Sequence, residues 1–172
     1  MCGIVGIVGQ EPVVGRLVDA LRRLEYRGYD SAGVATIHDG QLDRRRAEGK
    51  LFNLEKKLDE EPLPGVIGIA HTRWATHGVP NVTNAHPHFV DGVAVVHNGI
   101  IENFSELKDE LVSDGAVFQS QTDTEVVAHL LAKYRREGMS QRQAILAMLN
   151  RVSGAYALVV IFQDDPNTIM AA

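Results

Sequence analysis

Strand-like segments that follow one another across short turns constrain this chain's fold more than any other sequence feature. Only the pair Asp39-Gly40, a typical hairpin turn, separates the strand-like runs 33–38 and 41–47. A doubly wound parallel sheet would need strict alternation of strands and helices, which this chain lacks. The pattern therefore predicts antiparallel sheets covered by helices. Further strands are predicted at 2–9, 66–71, 93–97 and 154–162; a turn is expected at 165–167, and the last strand begins at Thr168.

Five helical segments lie between these strands. Apolar residues recur every three or four positions after Pro12, which predicts a helix that ends near Gly28. Two capping boxes, Thr122 with Glu125 and Ser140 with Gln143, predict the starts of two later helices. The other predicted helices are 50–59 and 104–112.

Composition limits the class of protein. The 172 residues, 45% of them hydrophobic, suffice for one well-buried core, so a single domain over 1–172 is expected. A formal net charge of -5 disfavours a nucleic-acid or anionic-membrane surface as the binding partner. One cysteine excludes an internal disulfide and fits a reducing compartment, so a cytoplasmic location is expected. No apolar run of membrane-spanning length is present, and because the N-terminal residues lack a basic start and a small-residue cleavage site, no signal peptide is expected.

Two polar segments have less certain interpretations. The irregular stretch 74–87, rich in histidine and proline, is typical of a lid or binding loop. The run Arg44-Arg45-Arg46 could bind phosphate, but no glycine-rich loop follows it. A solvated outer strand is the favoured interpretation of the arginines.

The single cysteine, Cys2, directly follows Met1. Removal of Met1 would leave one residue with a thiol nucleophile and a free α-amine. An α-amine has a reference pKa of about 7.7 to 8.0, so roughly a third of it is neutral base at pH 7.5. A nucleophile with a built-in base is therefore one interpretation. The other is a small buried residue at the start of a strand, the commonest role of a free cysteine.

Three further polar segments lie at predicted strand ends, where functional sites often form: 26–33, 71–78 and 97–103. Taken alone, each of their notable residues has an ordinary structural explanation. Arg73 could form a surface ion pair, and Asn98-Gly99 could be a turn. Trp74 could serve packing. Asp123, which lies outside these segments, could favour a helix start through the helix dipole.

Taken together, Met1-Cys2-Gly3-Ile4-Val5-Gly6 and these segments resemble the glutaminase domain of class II glutamine amidotransferases. This family belongs to the N-terminal-nucleophile hydrolases. The resemblance covers essentially the whole chain, in order and with family-like spacing. It implies an α+β fold of four layers, αββα, in which two antiparallel sheets are sandwiched between helices.

The resemblance also implies a role for individual residues. Cys2 would attack the amide carbon of L-glutamine, and the Asn98 side chain and the Gly99 N–H would stabilise the oxyanion. Arg73 would bind the α-carboxylate with help from Thr76 and His77, and Asp123 would bind the α-ammonium. Trp74 would belong to a loop that closes over the substrate. Arg27 and Gly28 would position the nucleophile.

Within the family, the amino-acid sequences of these segments most resemble those of the hexosamine-forming enzymes. This implies a C-terminal sugar-phosphate isomerase portion that is absent from the sequence, and a homodimeric full-length enzyme. The glutaminase domain would then be truncated at its C-terminal end. No cofactor is implied, and the domain alone could only hydrolyse glutamine.

Three alternatives remain at this level. Related glutaminase domains serve other acceptors, as in amidophosphoribosyltransferase, asparagine synthetase and glutamate synthase. Five of the seven histidines lie between His71 and His97, and His86-Pro87-His88 could ligate the metal of a hydrolase, although no pair has i, i+4 spacing. The domain could also be a binding module without activity.

Overall fold

The computed structural model describes residues 2–75 and 77–172. Eight strands and five helices form the fold, and a single 3-10 turn, Glu25–Arg27, follows the first helix. The strands are β1 (Gly3–Val8), β2 (Ser31–His38), β3 (Gln41–Glu48), β4 (Ile67–Arg73), β5 (His88–Val90), β6 (Val93–Ile101), β7 (Gly154–Phe162) and β8 (Asp165–Ala171). The helices are α1 (Val14–Leu24), α2 (Leu51–Glu60), α3 (Phe104–Ser113), α4 (Glu125–Arg136) and α5 (Gln141–Leu149).

The strands form two sheets of four, and every pairing is antiparallel. The first sheet has the order β1-β4-β2-β3, and the second has the order β5-β6-β7-β8. In the first sheet, Gly3 pairs with Thr72 and Ser31 pairs with Arg73, so the ends of three strands lie side by side. This edge of the sheet carries much of the candidate site.

Three apolar layers hold the sheets and helices together. Between the sheets lie side chains such as Ile67, Ile69, Ala94 and Val96. The outer face of the first sheet packs against α1 and α2, and that of the second against α3, α4 and α5. Because a strand alternates its faces, each central strand supplies one row of side chains to the inter-sheet core and one to the helices. The order of layers is therefore αββα, as expected.

The helices begin largely where the sequence predicts. The capping box at α5 is confirmed, because the Ser140 hydroxyl accepts from the Gln143 N–H and the Gln143 side chain accepts from the Ser140 N–H. The box predicted at Thr122 is wrong. α4 begins at Glu125, whose carboxylate instead accepts from the Ser120 N–H and hydroxyl, and Thr122 hydrogen-bonds to His88.

Strand boundaries differ from the prediction in the second sheet. β5 was not predicted, and β6 continues through Asn98-Gly99 to Ile101 instead of ending in a turn there. These two residues pair with Ala157 and Tyr156 of β7, which is why the strand extends. The last turn lies at 163–164, so β8 begins at Asp165, before the expected Thr168.

The arginine run holds the loop beside it. β3 is the outer strand of its sheet, but its arginines are half-buried and not solvated as the sequence suggested. Arg44 donates to the Pro87 carbonyl at 2.9 Å, and Arg46 donates to the Ala85 carbonyl at 2.7 Å. Burial lowers the pKa of Arg46 to about 10, an effect that nearby Arg44 reinforces. The arginines therefore anchor the histidine-rich loop to the first sheet.

Among the described residues, none of the helices has the length and apolar character needed to cross a bilayer.

The helix layer over the second sheet yields a test of the packing. Leu130 of α4 is fully buried, whereas Leu146 of α5 is 53% exposed. Because Leu130→Ala leaves a cavity, we expect it to lower the free energy of unfolding by about 2 to 5 kcal/mol in urea titrations. The matched change Leu146→Ala should shift it by about 0.5 kcal/mol or less. Equal losses would contradict this arrangement of layers.

Candidate active site

The candidate site forms where the ends of β1 and β4 meet β6 of the opposite sheet. Ile67 and Ile69 face the inter-sheet core, and the period of two places His71 and Arg73 on the same face of β4. On β6, Ala94 and Val96 face the same core, and Asn98 continues their row. The alternation that builds the apolar core therefore ends, on both sheets, in polar groups that face each other.

A cavity of about 550 Å³ opens at this junction. Most of the residues singled out in the sequence line it. Gly28 does not line it but lies next to it, and Thr76 falls outside the described residues. The predicted residues that line the cavity are Cys2, Arg27, Arg73, Trp74, His77, Asn98, Gly99 and Asp123.

Cys2 is half-buried at the start of β1, with its sulfur facing a backbone donor. The Trp74 N–H donates to Cys2 Sγ at 3.1 Å. On the other side, Asn98 Nδ2 donates to the Cys2 carbonyl at 3.4 Å. Cys2 is thus held by the loop after β4 through its sulfur and by the polar end of β6 through its carbonyl.

Gly99 occupies a position that only glycine fits. Its φ is +112°, and a Cβ built there would lie 2.1 Å from the Ala155 carbonyl oxygen of β7. Both the backbone conformation and the close approach of β7 exclude a side chain. The close packing of β6 on β7 therefore requires glycine at this residue, which also lines the cavity.

Arg73 is a buried cation on the wall of the cavity. Its side chain is buried, and one guanidinium nitrogen, Nη2, donates to the carbonyls of His77 and Gly78. The other, Nη1, has no hydrogen-bond partner and lies 3.9 Å from Asp30 Oδ1. Burial lowers the pKa of Arg73, and the Asp30 carboxylate opposes that shift. A buried cation with an unused donor is suited to bind a carboxylate.

Asp123 provides the negative charge. It lies in the turn before α4, not in the first turn of the helix as the sequence suggested. One oxygen, Oδ2, accepts from the Ile101 N–H at 2.9 Å, which fixes the side chain against β6. The other, Oδ1, lies 3.9 Å from His97 Nδ1. The cavity therefore has a cation on one wall and a carboxylate on another.

Trp74 and Gly28 are in contact at the mouth of the cavity. Gly28 has a φ of +75°, and a Cβ on it would lie 2.8 Å from the Trp74 ring. The ring itself is 54% exposed, so it is not a core residue. The absence of a side chain at Gly28 lets the indole lie across the end of the 3-10 turn that holds Arg27.

Four histidine rings form a buried cluster, and three of them, His71, His86 and His97, line the cavity. The His71 and His86 rings stack with centroids 4.3 Å apart, and His88 and His97 lie next to His86. Each ring bonds to a neutral polar group. The partners are Thr124 for both His86 and His97, Thr122 for His88 and Asn98 for His71.

Burial keeps these histidines neutral. It lowers the pKa of His71 to about 4 and that of His88 to about 3, with Arg46 adding to the effect on His88. It lowers the pKa of His86 well below its usual value and also lowers that of His97, although Asp123 partly opposes the latter shift. The cluster therefore contributes hydrogen bonds, not charge, near pH 7.

The geometry speaks against the metal-hydrolase alternative. Within residues 2–75 and 77–172, no three His, Cys, Asp or Glu side chains are arranged to hold a metal ion. The sequence showed the grouping of histidines but not their role. It also gave no indication that Thr122, Thr124 and Ile100 line the cavity. Their contributions depend on contacts between the two sheets and α4.

Comparison with known proteins identifies the family. Residues 71–172, more than half of the chain, match the model of the glutamine amidotransferase domain family. The chain belongs to this family. The matched residues include β6 and Asp123. The resemblance seen in the sequence is therefore confirmed.

Relatives that match along the whole chain carry the name glutamine–fructose-6-phosphate aminotransferase (isomerizing). The proteins from Agrobacterium fabrum and Zymomonas mobilis are 77% and 60% identical over all 172 residues. The chain spans only 28% of the length of these curated relatives. It is therefore similar to one part of them.

Solved structures confirm the fold of this amidotransferase domain. The structure of glutamine phosphoribosylpyrophosphate amidotransferase from B. subtilis matches with a TM-score of 0.80 and 28% sequence identity. The match covers 95% of this chain and 35% of the amidotransferase chain. A regulatory enzyme of purine biosynthesis gives a TM-score of 0.81 at 27% identity, over 95% of this chain and 36% of that one. The predicted α+β, N-terminal-nucleophile class of fold is thus confirmed.

The buried histidines predict a loss of stability in mild acid. The unfolded chain takes up protons near pH 6.5, whereas the folded state excludes them from His71 until about pH 4 and from His88 until about pH 3. The free energy of unfolding should therefore be constant above pH 7 and fall between pH 6.5 and 4. Each excluded proton should contribute a slope of about 1.4 kcal/mol per pH unit.

Urea titrations at several pH values measure this slope. His88→Gln, which can keep a donor near Thr122, should reduce it by about one proton. The matched control is His38→Gln, because the His38 side chain is 51% exposed, and it should leave the slope unchanged. A wild-type stability that does not change between pH 7 and 4.5 would contradict the neutral, buried cluster.

Proposed function

We propose that this domain hydrolyses L-glutamine to glutamate and ammonia through a thioester on Cys2. The observation that carries the proposal is the single cavity that joins a cysteine nucleophile to a buried cation and a buried carboxylate. Glutamine is a zwitterion with a side-chain amide. A site with these three groups provides one partner for each functional group of that substrate.

Cys2 is the nucleophile, and its own α-amine is the base once Met1 has been removed. The amine accepts the thiol proton, directly or through a water, and the sulfur attacks the amide carbon. The amine then gives the proton to the leaving nitrogen, and ammonia departs. Water hydrolyses the thioester and releases glutamate. The position of Sγ supports this assignment, since the Trp74 N–H holds the sulfur at 3.1 Å in a residue that lines the cavity.

Asn98 and Gly99 form the oxyanion hole. Asn98 Nδ2 already faces Cys2, and Gly99 lines the same cavity. Preorganised donors of this kind stabilise the charge that develops on the amide oxygen in each tetrahedral intermediate. They act on the transition state more than on bound glutamine.

Arg73 and Asp123 select the substrate by charge. The free Nη1 of Arg73 would bind the α-carboxylate, and Oδ1 of Asp123 would accept from the α-ammonium. His77 lies beside the cavity on the carboxylate side, and Thr76 belongs to the same loop in the sequence. Trp74 would cover the bound substrate, because its exposed ring lies at the mouth. Closure would keep water away from the ammonia, which is useless as a nucleophile once protonated.

We further propose that the ammonia serves the synthesis of glucosamine 6-phosphate from fructose 6-phosphate in a longer, cytoplasmic and homodimeric protein. Identity of 77% to an aminotransferase of that name supports this acceptor. Identity to the phosphoribosylpyrophosphate amidotransferase is only 28%, which disfavours the purine alternative. The sugar-phosphate isomerase portion would lie in the part of the relatives that this chain does not span.

Substitution of Cys2 and retention of Met1 test the nucleophile. Cys2→Ala should abolish ammonia release from glutamine, and so should a form that retains Met1, because its Cys2 nitrogen is an amide and not a base. The active form should begin at Cys2 when its intact mass is measured. Full hydrolysis by protein that keeps Met1 would contradict the mechanism, and no hydrolysis by protein that lacks Met1 would indicate a binding module.

Substitutions at Asn98 and Arg73 separate substrate binding from the chemical step. Asn98→Ala removes a donor used in the transition state, so it should lower kcat by about 10² to 10³ with a small change in KM. Arg73→Lys keeps the charge but loses the planar fork in which Nη2 bonds to the loop carbonyls while Nη1 faces the substrate carboxylate, so it should act mainly on KM. Steady-state assays of ammonia release measure both. An Asn98→Ala variant that changes KM alone would exclude Asn98 from the oxyanion hole.

A further inference from the structure

His71 is the one side chain of β4 that hydrogen-bonds directly to the candidate oxyanion-hole residue on the opposite sheet. Its ring is fully buried, and Nε2 lies 2.9 Å from Asn98 Oδ1 and 3.0 Å from the His97 carbonyl oxygen. Nδ1 has no hydrogen-bond partner, and one face of the ring stacks on His86. All of the ring's polar contacts are therefore made through Nε2.

The two contacts of Nε2 determine where its proton lies. A backbone carbonyl can only accept, so Nε2 must carry a hydrogen to contact the His97 oxygen. An Nε2–H can bond to Asn98 only through the amide oxygen. Once the oxygen of Asn98 faces His71, its NH₂ group must face the other way. That direction is toward Cys2, whose carbonyl Nδ2 contacts at 3.4 Å.

We propose that His71 is a positioning residue, which holds the Asn98 amide in the one orientation that presents its NH₂ to the reacting centre. An amide is nearly symmetric in shape, so packing alone distinguishes the two orientations poorly. The flipped orientation would present an oxygen to the developing oxyanion and repel it. One hydrogen bond across the two sheets thus selects the orientation that stabilises the transition state. This inference rests on the proposed glutaminase activity.

The neutral state of the ring suits this role. Burial is the main cause that lowers the pKa of His71 to about 4, and the neighbouring His97 and Arg73 add to it, although the bond to Asn98 opposes the shift. Above that pH the ring is neutral and carries one N–H proton, and the two acceptors next to Nε2 keep this proton on Nε2. The donor is therefore constant over the range in which a neutral α-amine is available.

Two substitutions in the full chain test the proposal. The amide of His71→Gln can place an N–H near the position of Nε2, whereas the shorter amide of His71→Asn cannot reach it. We expect His71→Asn to lower kcat by on the order of 10² with KM changed by less than about threefold. His71→Gln should keep kcat within about fivefold of wild type, since it restores the donor. The control His129→Asn, a buried histidine of α4 outside the cavity, should leave kcat within about threefold.

A double-mutant cycle separates positioning from structural support. If His71 acts through Asn98, adding His71→Asn to Asn98→Ala should cost less than about threefold more in kcat. The proposal would be overturned if His71→Gln and His71→Asn lowered kcat equally. It would also be overturned if His71→Asn lowered kcat by the same factor in the Asn98→Ala variant as in the wild-type protein. Thermal unfolding of each variant shows whether the fold is retained.

The tautomer of His71 in the wild-type protein provides a test that needs no variant. A long-range ¹⁵N–¹H spectrum at pH 7 should show the Nε2–H form, and an Nδ1–H form would overturn the proposal even if a variant fails to fold. This readout is also independent of catalysis. If wild-type protein that lacks Met1 releases no ammonia, the proposed function fails, whereas the spectrum still decides the orientation of Asn98.

Discussion

The face-to-face packing of two antiparallel sheets is the constraint on which the site depends. Ile69 of β4 and Val96 of β6 belong to one inter-sheet core, and two and four residues further along these strands the apolar rows give way to His71, Arg73 and Asn98. Neither sheet holds all of the candidate catalytic groups. The candidate nucleophile and the cation lie on the first sheet, and the candidate oxyanion donors lie on the second. Any relative shift of the sheets would therefore separate them.

Polar side chains that would be costly to bury alone secure this junction. Arg44 and Arg46 bind carbonyls of the loop before β5, and Thr124 bonds to both His86 and His97. Each buried ring that is kept neutral avoids the cost of an unpaired charge in the interior. The neutral histidine rings thus fix the ends of the strands without adding charge of their own near the cavity.

Local sequence patterns correctly predicted the elements whose structure depends on residues close together in the chain. The apolar period of α1, the Asp39-Gly40 hairpin and the Ser140 capping box are confirmed because each depends on neighbouring residues. Asn98-Gly99 and Thr122 were misassigned because a partner distant in sequence decides their structure. β7 extends β6 through Asn98, and His88 bonds to the hydroxyl of Thr122. Family resemblance, not periodicity, selected the candidate site residues, and the role of His71 required the geometry between the sheets.

The most direct test of the central claim is the location of the covalent intermediate. Protein that lacks Met1, mixed with L-glutamine and rapidly quenched in acid, should show the mass of one added glutamyl group. Peptide mapping should place this group on the thiol of the N-terminal Cys2, and ammonia should be released in equal amount. A glutamyl group on another residue, or steady ammonia release after Cys2 has been alkylated, would contradict the account.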